Sequence, residues 1–152
     1  VKILHITNTV AAGGAEVTLL ALCRHHKAAG VDLTVACLRE HVRDTRSLRP
    51  EFERAGVAVR DLDCARIDPR CPWSLRGLIR EERPDILHTH LPRADIAGIV
   101  ARGRKPIPRV MTVHGTYGTQ GVWRYLKPAL AGVWRRADAD AGARFLHRAL
   151  PR

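Results

Sequence analysis

Short apolar runs alternate with helically spaced stretches along most of this chain, and few architectures accept that order. Lys2–Thr7 is almost continuously apolar, as a strand covered on both faces of a parallel sheet must be. Gly13-Gly14 closes the loop that follows. Ala15–Ala29 then turns helical, with Leu19, Leu20, Leu22 and Cys23 at three-to-four spacing and Gly30 as its stop. Val31–Leu38 places Val31, Leu33, Val35 and Cys37 on alternate positions, which predicts a second strand. A short helix over Ser47–Ala55, stopped by Gly56, precedes a third strand at Val57 and Val59. Trp73–Glu82 predicts a helix, Ile86–His90 a fourth strand, Ala94–Arg102 a helix and Arg109–His114 a fifth strand. A last helix is expected over Val122–Ala137, kinked or opened by Pro128. The pattern predicts an α/β doubly wound parallel sheet, whose ligands bind at the carboxyl ends of the strands.

The 152 residues are 45% hydrophobic and 27% charged, and a chain of this length buries roughly two thirds of its surface without metal or disulfide staples. No apolar run approaches the roughly 18 residues of a membrane span. The start at Val1 is too short for a signal peptide and lacks a cleavage site, so a cytoplasmic chain is expected. The net charge is +11, mostly from arginine and weighted to the second half. Such a surface attracts phosphates, nucleic acid or anionic headgroups. The arginines are scattered and aromatics make up only 5%, which argues against a nucleic-acid-binding module. Cys23, Cys37, Cys64 and Cys71 show neither a C-x-x-C pair nor zinc-type spacing and read as thiols.

Three segments carry chemistry. Gly13-Gly14-Ala15-Glu16 joins a loop to a helix start, where backbone N–H groups and the positive helix end suit a diphosphate. It also reads as a plain tight turn, with Glu16 merely opposing the helix dipole. In His88-Thr89-His90, at a strand's carboxyl end, the two imidazoles point to one face and Thr89 to the other. No His, Cys or carboxylate at this spacing completes an evident ligand set, so no metal is expected, and at least one of the pair reads as a buried structural histidine. His114, in Thr112-Val113-His114-Gly115-Thr116, stands where an imidazole can hydrogen-bond a polar substrate or accept its proton. A structural hydrogen bond is the plainer reading of that residue too.

Taken in order, these segments resemble the N-terminal domain of a family-four, GT-B-fold glycosyltransferase, one Rossmann-like half of that fold. The likeness rests on Lys2-Ile3-Leu4-His5-Ile6 running into Gly13-Gly14-Ala15-Glu16, on Arg83-Pro84-Asp85-Ile86-Leu87-His88-Thr89-His90 and on Thr112-Val113-His114-Gly115. It covers residues 1–137. It implies transfer of a sugar from a nucleotide-sugar donor to an acceptor hydroxyl with retained anomeric configuration, no metal and no other cofactor, in polysaccharide, lipopolysaccharide or glycolipid synthesis. It implies that Gly13 and Gly14 lie beside the donor diphosphate and acceptor, supported by Glu16. His114 would contact the transferred sugar or acceptor as a catalytic, orienting group, with Gly115 and Thr116 beside it. His90 would shape the acceptor side.

The family's second domain brings a basic Arg and Lys pair and two spaced glutamates to the nucleotide sugar, and this chain shows neither. Residues 138–152 depart from the family pattern as an Arg- and Ala-rich tail, which reads as a fragment end or a frameshift near residue 139. The chain alone is therefore expected to be inactive. Arg124, Lys127 and Arg135, beside Trp123 and Trp134, suit anionic lipid headgroups at the inner face of the membrane, although a helix packed on the sheet explains them as well. Two other functions compete. One is a non-catalytic binding domain or remnant. The other is a dinucleotide-dependent oxidoreductase, for which Glu40 could serve as the ribose-binding acid but Ala11-Ala12-Gly13-Gly14-Ala15-Glu16 fails the G-x-G-x-x-G requirement.

Overall fold

A computed structural model describes residues 1–39, 45–65, 68–103, 107–112 and 114. Nine elements follow one another in these residues: β1 (Lys2–Thr7), α1 (Gly14–Ala28), β2 (Asp32–Cys37), α2 (Arg49–Arg54), β3 (Ala58–Asp61), α3 (Cys71–Glu82), β4 (Ile86–His90), α4 (Pro92–Arg102) and β5 (Arg109–Thr112). The strands form one sheet in the order β3-β2-β1-β4-β5. Every pairing is parallel. The chain builds outward from β1 to β3, then returns to the other side of β1 to lay down β4 and β5. The seam between β1 and β4 is thus the switch point of the sheet.

The near-continuous apolar runs follow from burial on both faces. Leu4, Ile6 and Leu87 point to the layer made by α3 and α4, where Leu75, Ile79 and Ala97 meet them. Ile3, Leu33 and Val35 point to α1 and α2, packing with Leu19, Cys23 and Phe52. All four cysteines are thiols buried in these layers. Burial alone pushes the Cys23 thiol up to about 12, and burial together with Cys71 does the same for Cys64. They pack as small hydrophobes.

Element boundaries depart from the sequence expectation for local reasons. α2, α3 and α4 each open with a proline in the first turn, Pro50, Pro72 and Pro92. A ring with fixed φ and no N–H fits there, so α3 and α4 start two residues earlier than the apolar spacing indicates. Val57 precedes β3, because its N–H bonds to the Phe52 carbonyl and closes α2. β5 ends at Thr112, which places His114 beyond the strand. At Gly98 in α4 an added Cβ would stand 2.8 Å from the Thr89 methyl, so the helix lies directly on β4. The expected helix over 122–137 and the tail 138–152 lie outside the described residues. So do Glu40, Gly115 and Thr116.

Candidate functional site

The carboxyl ends of β1, β4 and β5 adjoin, and the candidate residues gather at that edge. After β1 the chain passes through Asn8, whose Oδ1 is buried without a hydrogen-bond partner among the described residues. The loop is pinned by Ala11 N–H donating to Thr9 Oγ1 at 3.0 Å. Ala12 N–H donates to the Arg46 carbonyl and Leu48 N–H to that of Val10, both at 2.7 Å. Gly13 caps α1 in an extended conformation. Glu16 folds back so that its Oε2 would stand 2.6 Å from a Cβ at Gly13. It is buried, and burial raises its carboxyl pKa against a hydrogen bond from its own backbone. Gly14 is different: among the described residues a Cβ there would meet nothing within 4 Å. The first turn of α1 therefore presents open backbone.

On the face shared with α1, register sets up a cluster of imidazoles. His5 of β1 pairs in register with His88 of β4, and strand alternation brings His90 to the same face. The ring centroids of His88 and His90 are 4.2 Å apart; those of His5 lie 4.9 Å from His88 and 5.4 Å from His90. His5 Nδ1 and His90 Nε2 are hydrogen-bonded at 3.1 Å. His90 Nδ1 bonds His114 Nε2 at 3.1 Å, and His88 Nε2 bonds Thr112 Oγ1 at 2.7 Å. His26 of α1 stacks toward His5 with 6.1 Å between centroids.

Desolvation, helped by the neighbouring rings, pulls His5 down to about 2, His90 to about 3 and His88 to about 4. These three are buried and neutral at pH 7. His114 is half-buried, and its pKa is lowered by burial. Leu91, next to His90, has φ 77° and ψ 147°, a region that side chains avoid and that favours glycine. Strain of this kind is stored where the surrounding structure fixes the chain, and here it lies directly behind His90.

Sequence reasoning placed Gly13, Gly14 and Glu16 at a loop-to-helix junction and His90 and His114 at strand ends. The structure joins His90 to His114 directly and opens the α1 start onto the same edge of the sheet. It corrects one expectation: His5, His88 and His90 offer ligand atoms within 4.8 Å of one another, so a third imidazole does stand within reach. The missing residue lies 83 positions away along the chain from His88, and only parallel register brings it alongside. A divalent ion would have to take a His90 nitrogen that now bonds another ring, and no carboxylate joins the set among the described residues. Both histidines of the pair prove to be buried and hydrogen-bonded. Asn8 and Leu91 also escaped the sequence reading, since nothing in their local pattern marks them.

The sequence model of the family described as Glycosyltransferase Family 4 matches residues 12–149. Among solved structures, a glycosyltransferase from Rickettsia africae superposes with a TM-score of 0.63 at 14% identity, covering 82% of this chain and 32% of that one. UDP-GlcNAc 2-epimerase from Neisseria meningitidis, bound to UDP-GlcNAc, gives 0.54 at 15% identity over 99% of this chain and 44% of its own. A deacetylase triple mutant of the teicoplanin biosynthetic pathway gives 0.55 at 13% identity, over 72% and 62%. The chain spans about a third of the Rickettsia protein and less than half of the epimerase. At these identities the likeness is one of fold. No curated protein matches the sequence.

Proposed function

Since the chain belongs to glycosyltransferase family 4, we propose that it forms the acceptor-side, Rossmann-like half of a sugar-transfer site. The donor is a nucleotide sugar and the acceptor a hydroxyl of a growing polysaccharide, lipopolysaccharide or glycolipid. Transfer retains the anomeric configuration and uses no metal. The observation that carries this reading is the convergence of the open α1 start, His90 and His114 at the carboxyl edge beside the β1/β4 seam, where an α/β sheet binds ligands. In it the N–H groups at Gly13 and Gly14 face the donor diphosphate, Glu16 holds the loop, and His114 contacts the transferred sugar or the acceptor. His90 shapes the acceptor side, and Gly115 and Thr116 continue that wall.

The nucleotide is gripped chiefly by a second domain of the kind the family carries, so the 152 residues bind nucleotide sugar weakly and turn none over. The protein works in the cytoplasm, and its basic surface suits peripheral contact with an anionic membrane; no helix among the described residues is long and apolar enough to cross one. A titration of the ¹⁵N-labelled chain with UDP-, GDP- and ADP-sugars tests the assignment. Backbone amides of Gly13 and Gly14 and the His114 ring should shift with at least one of them and stay still with NAD or NADP. Shifts confined to the dinucleotides would overturn it, whereas turnover of a nucleotide sugar by these residues that His114→Ala abolishes would overturn only their expected inactivity.

A further inference from the structure

His5, His90 and His114 form a line of three rings joined by two N···N contacts of 3.1 Å, and the ring protons along it can be counted. Each neutral imidazole carries one N–H and one bare nitrogen. Each contact needs one proton. Only two arrangements satisfy both contacts. In the first, His5 Nδ1–H donates to His90 Nε2 and His90 Nδ1–H donates to His114 Nε2, so that the remaining proton of His114 sits on Nδ1, outside the line. In the second, His114 Nε2–H donates to His90 Nδ1, His90 Nε2–H donates to His5 Nδ1, and His5 carries its proton on Nε2. The three rings switch together or not at all.

The far end of the line decides between them. His5 Nε2 is buried and has no hydrogen-bond partner among the described residues, on a side chain with no exposed surface. A proton there would be an orphaned buried N–H; the first arrangement leaves only a lone pair, and orphaned N–H groups are the rarer of the two in proteins. His88 is outside the line, bonded to Thr112. His26, stacked on the other side of His5, makes no hydrogen bond to it. The depressed pKa values of His5 and His90 keep both rings neutral, as the count requires.

We propose that His5 and His90 are positioning residues that lock His114 as its Nδ1–H tautomer, so that it meets its ligand as a hydrogen-bond donor to oxygen rather than as a general base. The oxygen belongs to a sugar hydroxyl or a phosphate. That clause rests on the glycosyl-transfer reading; the coupling of the three tautomers does not.

Long-range ¹H–¹⁵N correlation spectra of the ring-labelled full chain read the tautomers directly. The expected result is Nδ1–H on all three rings, with His114 favouring it by roughly tenfold or more, because placing an orphaned N–H at the buried end costs that much. His90→Phe removes the partner of His114 Nε2, and His114 should then populate both tautomers comparably. His5→Met sets an acceptor and no donor opposite His90 Nε2 and should shift His90 and His114 toward Nε2–H. The inference is overturned by Nε2–H on His114 in the wild type, a result that needs no variant to fold. It is also overturned by a His114 tautomer that His90→Phe and His5→Met both leave unchanged, or by stoichiometric zinc on the purified protein or on addition of zinc alone, since a metal would take a His90 nitrogen that the line uses. A final addition of UDP-GlcNAc and GDP-mannose separates the two claims: an unresponsive His114 ring with its tautomer still governed by His5 counts against glycosyl transfer and not against the coupling.

Discussion

An added methyl at Gly13 would stand 2.6 Å from Glu16 Oε2, whereas at Gly14 it would meet nothing within 4 Å. The two positions therefore separate folding from ligand contact. Gly14→Ala places a better helix former at the first position of α1, and stability should hold or rise by up to ~1 kcal/mol. The same methyl would occupy the space in front of the open backbone, so the nucleotide-sugar response should be lost. Thermal unfolding with and without ligand checks both halves, and an unchanged ligand shift in Gly14→Ala would remove this loop from the binding site. The buried imidazoles allow a second prediction. In the unfolded chain they titrate near ~6.5; in the folded chain His5, His90 and His88 titrate only near about 2, about 3 and about 4. Below the unfolded value the unfolded chain takes up protons that the folded one refuses. Their contribution is full above that value and falls as pH drops toward the folded values, by up to ~1.4 kcal/mol per pH unit for each ring. Urea midpoints should fall between pH 7.5 and 5, and fall less in His5→Phe. Equal slopes for the two proteins would show that His5 is not one of the rings responsible. At this scale the sequence is only partly readable. His90 and His114 stand next to glycine or strand signals, but His5 looks like any residue in an apolar run until register with β4 gives it neighbours.

At the scale of elements the sequence is far more readable, since a strand buried on both faces and a helix buried on one leave different apolar periods. All five strands and the four helices among the described residues were expected. What escaped was their ends: the hydrophobic period stops where burial stops, whereas Pro50, Pro72 and Pro92 start helices for reasons of backbone geometry. The contact between α4 and β4 at Gly98 leaves no room for a side chain, and it can be tested as a pair. Gly98→Ala should cost about 1–3 kcal/mol, because the new methyl meets the Thr89 methyl at 2.8 Å. Thr89→Ser removes that methyl, so Gly98→Ala should cost markedly less in the Thr89→Ser background. A double-mutant cycle in urea gives the coupling, and strict additivity would mean that α4 shifts away instead.

Across the molecule the sheet divides the apolar interior into two layers, with Phe52 fully buried on one side and Leu75 on the other. Phe52→Leu and Leu75→Val should each cost on the order of 1 kcal/mol, and together the sum of the two to within ~0.5 kcal/mol, because they share no neighbours. Coupling much larger than that would mean the sheet transmits repacking from one layer to the other. The strand order has a consequence in time as well as in space. β1 takes β2 on one side early, but its other neighbour, β4, begins at Ile86. The bond between His5 and His90 spans 85 positions of chain. On a ribosome adding about 5–20 residues each second, the first strand waits several seconds with that side bare, and its histidine stays unburied and free to take a proton. The line of imidazoles thus begins when the fourth strand docks and closes only when His114 follows the fifth, and a nascent chain halted before the fourth strand would carry the start of α1 and His5 without the rings that give them a site.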